Sequence, residues 1–324
     1  MDYVALTQET VPVACRLFND AVQNGDMLYR PFTEEEFSRL FLAEESGIIK
    51  KAVLLKDGTA FAAGCQVPES HKTYLTMLVV LREVRRFGVG TRLLAAMEQE
   101  LQKADDWSSR SIEISFFNPM NLTWIVPGTE NHDHPNAPGV DMAGSGYYFF
   151  QNRGYRNFAC QNSYYVDLSR HRSSPDILAK RQGLLEKGMI IETFDAKKHT
   201  GMPELMDNLN SEPWRREILG EISKPDGGRP IRIVAKENTV YGFAGPLDKQ
   251  PSGRGYFAGI GVHSAYRGMG AGKVLFDSLC EGLSQLGAEY MTLFTGENNP
   301  ARNIYEAAGF KMVRAWADMK KTIR

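Results

Sequence analysis

A short pattern occurs twice in this chain: a branched apolar strand, an arginine, and glycines two apart that open an amphipathic helix. The first copy runs through Val80, Arg85, Arg86, Phe87, Gly88, Val89 and Gly90, and the second through Val262, Arg267, Gly268, Met269, Gly270, Ala271 and Gly272. A strand feeding such a turn leaves unpaired backbone N–H groups at a helix N-terminus, which is where proteins hold phosphate. The same turn can also close a strand and bind nothing. Two copies predict two domains of one kind, each built around an anion cradle.

Length agrees with that reading, because 324 residues exceed one ordinary compact domain and suffice for two with cores of their own. A net charge of −1 gives no bulk attraction to nucleic acid or an anionic membrane, so neither is an expected partner. Mean hydropathy is −0.34, and no run approaches the ~18 apolar residues of a membrane span. The first residues show no basic region followed by an apolar core. Cys15, Cys65, Cys160 and Cys280 are scattered without metal-ligand spacing, which reads as buried free thiols in a reducing, cytoplasmic compartment.

The fold class expected is mixed α/β, with helices between strands. In the second half, strands are expected over 189–194, 232–236, 240–245, 256–262 and 290–295, with closing strands over 310–319. Val274, Leu275, Leu279, Leu283 and Leu286 fall at helical spacing, and Gly287 ends that helix. The first half repeats the order, with strands over 48–55, 59–67, 73–80 and 111–117 and a glycine-turn helix over 91–103. Its interval from arginine to the late glycine, Arg85 to Gly154, is longer than Arg267 to Gly309, and the excess lies in 118–146. That segment, rich in Pro, Gly and Asn, reads as a long ordered loop covering something or as a flexible flap. His132 and His134 within it are expected to be solvated and lack a third ligand, so no metal is expected. The domains expected are therefore 1–168, with 118–146 inserted, a linker over 169–188, and 189–324.

Two nucleotide motifs fail on spacing. A dinucleotide fingerprint needs a third glycine where Leu93 and Lys273 stand, and a phosphate-binding loop of the Walker type needs glycine and Ser or Thr where Arg267 and Val274 stand. What fits is Arg-x-x-Gly-x-Gly with a valine five residues before the arginine, followed by Asn299, Tyr305, Glu306, Gly309 and Phe310. On these residues the chain resembles the GCN5-related N-acetyltransferase (GNAT) superfamily along essentially its whole length, as a tandem pair whose doubled architecture is similar to that of mycothiol synthase.

The resemblance implies two acyl-CoA N-acyltransferase domains, each a mixed, mostly antiparallel sheet flanked by helices. It implies acetyl-CoA as co-substrate, with its pantetheine arm between the strand ending Ile260, Gly261 and Val262 and the strand over 290–295. The pyrophosphate would rest on the turn from Arg267 through Gly268, Met269, Gly270 and Ala271 to Gly272, with Asn299 on the arm and Tyr305 as general acid. In the first half, Val80, Arg85, Arg86, Phe87, Gly88, Val89 and Gly90 would form the matching site, but Phe150 stands where Tyr305 does, and a phenyl ring donates no proton. Chemistry is therefore expected in the C-terminal domain, by direct transfer in a ternary complex to a primary amine of a small molecule.

No carboxylate stands on the strand before the second turn, which leaves Glu212, Glu217 and His263 as candidate bases. Two other classes stay open: a non-catalytic acyl-CoA sensor, and a protein or peptide N-acetyltransferase. A monomer or homodimer is expected.

Overall fold

The computed structural model describes residues 2–103 and 110–323. It divides into two compact units, Met1–Ser163 with Val313–Arg324, and Tyr164–Met312. The sequence reading put the division at 169–188 and left 313–324 with the second domain. In the structure the chain changes unit inside a strand, and 313–324 belong to the first unit. Sequence order favours neighbours as partners, and a strand returning to a distant partner leaves no local sign.

The first unit contains β1 (Tyr3–Ala5), α1 (Val11–Gln23), α2 (Glu34–Phe41), β2 (Ile49–Leu55), β3 (Ala60–Val67), β4 (Lys72–Val80) and α3 (Val89–Glu100). After these come β5 (Ser111–Ile114), β6 (Trp124–Ile125), β7 (Asp133–His134), β8 (Val140–Asp141), α4 (Ser145–Gln151) and β9 (Arg156–Asp167), which leaves the unit after Ser163. Strands β1 to β4 pair antiparallel in sequence order. Helices cover the sheet with apolar stripes: α1 buries Val11, Ala14, Cys15, Leu17, Phe18 and Ala21, and α3 buries Val89, Leu93, Leu94 and Met97. Thr33 and Glu36 cap α2 reciprocally, satisfying two backbone donors at its start.

Two features of β4 shape the unit. Ala63 pairs with Met77 and Gly64 with Leu75, so Thr76 is an extra residue in a bulge. Beside it, β5 pairs with β4 in parallel at Tyr74 and Glu113, and beyond that pair the two strands part.

The second unit holds α5 (Pro175–Leu185), β10 (Met189–Thr193), α6 (Met202–Leu209), α7 (Glu212–Ile222), β11 (Arg232–Lys236), β12 (Thr239–Gly245), β13 (Asp248–Lys249) and β14 (Gly255–Tyr256). It continues through β15 (Gly259–Val262), α8 (Ala271–Gln285), β16 (Tyr290–Gly296) and α9 (Arg302–Ala307) to the start of β17 (Lys311–Thr322). Strands β10, β11, β12 and β15 form an antiparallel sheet. Glu237 and Asn238 join β11 to β12 with both residues left-handed, at φ 50 and 64°, as a tight hairpin requires. Arg254 bridges Tyr290 in parallel, after which β15 and β16 separate, repeating the parting of β4 and β5. The strand expected over 256–262 is interrupted: Ala258 donates to the Gly245 carbonyl at 3.1 Å between β14 and β15.

From Val313 onward β17 lies in the first unit. It pairs antiparallel with β5, from Met319 opposite Ile114 to Thr322 opposite Ser111, and with β8 at Trp316 and Ala317. Lys321 ties it to Glu98 at 2.7 Å, and buried Asp318 accepts from Gln161 at 2.8 Å.

The 118–146 insertion is folded, with three short strands. Trp124 is fully buried edge-on to Trp316, and Asp133 and His134 are buried as well, where solvated histidines were expected. Pairing of β6 with β7 and the Trp124 ring carry these polar groups inward.

Candidate active site

The two glycine turns have the same backbone. In the first unit Arg86 has φ 70° and Gly88 φ 76°, and in the second Gly268 has φ 80° and Gly270 φ 84°. Gly88 and Gly270 are the N-caps of α3 and α8, and neither helix has a side chain capping its first N–H groups. Those donors are therefore presented outward with the positive end of the helix dipole behind them. Arg86 holds the left-handed conformation that glycine supplies at 268, at a steric cost of about 1–2 kcal/mol.

The arginine of each copy works on the turn itself. Arg85 Nε donates to the Val80 carbonyl at 2.8 Å, and Arg267 Nε donates to the Val262 carbonyl at 3.1 Å. Each closes the loop back onto the strand that feeds it. The Arg85 guanidinium also holds Asp26 at 2.6 Å, and Arg82 holds the same carboxylate at 2.5 Å. Burial would raise the Asp26 pKa, but bonds from Arg85 and Arg82 bring it below the usual carboxylate range.

In the first unit a cleft of about 790 Å³ opens where β4 and β5 part. Arg85, Arg86, Gly88 and Gly90 lie at its turn end, while Val80, Ser115, Asn118 and Trp316 also line it. Asn118 is fixed by three bonds: it donates to Thr76 Oγ1 at 2.8 Å and accepts from the Met120 N–H at 3.0 Å and the Cys65 thiol at 3.5 Å. Burial pushes that thiol up to about 12. The insertion thus forms wall, and it reaches the cleft through Asn118, Met120, Leu122 and Asn136.

The helix after each turn is met by a matching helix. A Cβ on Gly90 would lie 3.4 Å from Phe149, and one on Gly272 would lie 3.2 Å from Ile304. This places Phe149 opposite Ile304 and Phe150 opposite Tyr305, as the counting back from Gly154 and Gly309 required. Tyr305 packs among Phe276, Phe310 and Tyr164 with ring centroids 5.0, 6.4 and 6.1 Å away. Only 8% of it is exposed, and burial, with Tyr164 nearby, raises its pKa. The phenol stays protonated through the neutral range and has no hydrogen-bond partner among the described residues.

Asn299 Oδ1 accepts from the Ala301 N–H at 3.0 Å in the turn before α9, and among the described residues its amide NH₂ donates no such bond. Glu217 is paired with Arg229 at 2.7 Å, and that guanidinium also holds Glu221 at 2.6 Å. His263 Nδ1 accepts from the Ala265 N–H at 3.2 Å, which places the proton of the neutral ring on Nε2. Glu212 opens α7 and is exposed. Trp214 and Leu209 press on β15 where Gly259 and Gly261 leave room, since a Cβ at either glycine would clash with them.

Sequence reasoning missed the bulge at Thr76, the wall residues Ser115 and Asn118, the returning Trp316, and Lys180. The stem of Lys180 on α5 lies over the second turn, 3.3 Å from where a Cβ of Gly270 would stand. Only the position of Asn118 directly after the β5 region carried any local signal.

The sequence profile of the acetyltransferase (GNAT) family matches residues 17–116 and 196–310, together more than half of the chain. The [ribosomal protein bS18]-alanine N-acetyltransferase of Haemophilus influenzae is 26% identical over 125 residues, 38% of this chain and 82% of that enzyme. Among solved structures, a GCN5-related glucosamine N-acetyltransferase region of a fungal multi-domain β-N-acetylglucosaminidase superposes with TM-score 0.65 at 15% identity, covering 98% of this chain and 38% of the fungal chain. A GCN5-related N-acetyltransferase from Sphaerobacter thermophilus gives TM-score 0.63 at 16% identity, covering 100% and 96%. A tandem GNAT protein from the clavulanic acid biosynthesis pathway gives 0.57 at 15%, covering 99% and 98%. At these identities the structural likeness concerns the fold. Two matched regions, each with its own glycine turn and parted strands, establish that the chain belongs to the acetyltransferase (GNAT) family and carries its fold twice.

Proposed function

We propose that the protein transfers the acetyl group of acetyl-CoA to a primary amine of a small molecule, in a direct ternary complex, with the chemistry in the second unit. Acetyl transfer requires a deprotonated amine, a polarised thioester carbonyl and a proton for the departing thiolate. A pyrophosphate fits the turn from Arg267 to Gly272, whose helix presents uncapped N–H groups. The unpaired edge of β15, through Ile260, Gly261 and Val262, offers backbone donors and acceptors to the pantetheine arm and a donor to the carbonyl. Tyr305 supplies the proton. The observation that carries the reading is the asymmetry between the units: a buried phenol stands at 305, and a phenyl ring at the matching position 150.

No helix among the described residues is long and apolar enough to cross a membrane, and net charge is −1. The small net charge supports a reading without nucleic acid as partner; a cytoplasmic protein acting without a membrane partner, as a monomer or homodimer, is part of the same proposal. The test is release of free CoA thiol from acetyl-CoA across a panel of primary amines. Turnover with one class of amine supports the reading, and tight binding without turnover with any amine refutes it.

Two observations favour other readings. The cleft of the first unit has no phenol at position 150, which suits an acyl-CoA sensor. The Haemophilus relative acts on the alanine of a ribosomal protein, which suits a protein or peptide acceptor, and a peptide arm in the same assay separates it from a small amine.

A further inference from the structure

The first unit's cleft is amphipathic along its length. At the turn end stand Arg86 and Arg153 with the N-terminus of α3. Away from it the wall is made by Met27, Tyr29, Met120, Leu122 and Trp316. The Trp316 indole N–H is already spent on Ser163 at 3.0 Å, so the ring offers the cleft only apolar surface.

The charges of the lining do not suit a cationic amine in the apolar part. Among the described residues, the charged groups of the lining are Asp26, Asp141, Arg85, Arg86 and Arg153. Both carboxylates are neutralised by arginine, Asp26 by Arg82 and Arg85, and Asp141 by Arg314 at 2.7 Å. An ammonium group would enter without a counter-charge, and no lining His, Lys or Glu is there to take its proton. Among the described residues, Ser115 Oγ is buried in the lining without a hydrogen-bond partner, a costly arrangement unless a group in the cleft accepts from it.

We propose that this cleft is a receptor for a CoA thioester whose acyl chain is several carbons longer than acetyl, with the chain against Met27, Met120, Leu122 and Trp316 and a ligand carbonyl accepting from Ser115 Oγ. The inference rests on reading the glycine turns as CoA sites, and adds to it which acyl group the first unit selects. An acetyl methyl would leave the apolar wall to water, whereas each methylene laid against it tightens binding about fourfold.

Calorimetry on the full chain with acetyl-CoA and hexanoyl-CoA tests this. Burial of two of the four added methylenes makes hexanoyl-CoA at least tenfold tighter at one site. Gly90→Trp, whose side chain would project at Phe149 and Val80, removes that preference and leaves acetyl-CoA binding at the second unit. Equal affinity for the two thioesters in the wild type, or a preference that survives Gly90→Trp, overturns the inference while leaving the turns as CoA sites. A chain that takes up neither thioester overturns the underlying reading as well.

Discussion

Replacing Tyr305 by Phe removes one oxygen from a site whose packing is otherwise retained. The ring sits among Phe276, Phe310 and Tyr164, so a phenylalanine keeps those contacts, and the lost hydroxyl breaks no hydrogen bond found among the described residues. Stability should therefore change by less than about 1 kcal/mol. A positioned general acid contributes about 10²–10⁴-fold, which at about 1.4 kcal/mol per tenfold is roughly 3–5 kcal/mol of barrier. Turnover by thiol release should fall by that factor with the amine that the wild type uses best, and the dissociation constant for acetyl-CoA should move less than about twofold. The pH profile gives an independent readout. Burial raises the phenol's pKa, so the limb on which the wild type loses its acid lies above pH 10, and it should vanish in the variant. Turnover within twofold of wild type, with that limb intact, would remove Tyr305 from proton transfer.

Three further outcomes are expected. Gly270→Val places a branched side chain at φ 84° and against Lys180, costing at least about 1–2 kcal/mol and raising the acetyl-CoA dissociation constant more than tenfold by calorimetry. His171→Ala strips a partner from Asp277, which is fully buried and bonded to His171 at 3.1 Å and Ser173 at 2.7 Å. The carboxylate keeps Ser173 and the Arg181 guanidinium at 3.5 Å, so loss of the one buried bond should cost about 1–3 kcal/mol, read as a lower midpoint in urea. Glu221 should govern acid stability: burial would raise its pKa, but bonds from Arg229 and Lys224 hold it at about 2. A carboxyl depressed in the folded state stabilises above its unfolded pKa and loses that contribution as pH falls to the folded value. About 3 kcal/mol should disappear between pH 4.5 and 2, and Glu221→Gln should flatten that part of the curve.

What could be read from sequence was local. Strand, turn and helix in each copy follow from short-range geometry, so Gly88 and Gly270 were legible as turn residues, and counting back from Gly154 and Gly309 separated Phe150 from Tyr305. Arg85 and Arg267 were legible as motif residues but not in what they do, because a guanidinium aimed at a phosphate and one aimed at the preceding strand's carbonyl leave the same trace. The cleft wall was hidden. Trp316, Ser115 and Asn118 meet only through the return of β17 and the bulge at Thr76, and no window of sequence holds those pairings together. The buried His134 misled for a related reason: composition marks a loop as polar and cannot show that Trp124 draws its neighbours inside.

The return of β17 also sets an order of assembly. Phe116 bonds to Asp318 across 202 residues, and Glu98 to Lys321 across 223. During synthesis the first unit's sheet must therefore stand with an open edge at β5 while the whole second unit is made, although domains generally complete themselves from the N-terminal side. The half that emerges first from the ribosome is the half that closes last. A stop codon placed after Met312 should consequently leave the second unit's own residues complete and deprive the first of a strand, so that a lesion past residue 312 is felt in the unit that holds residues 1–163.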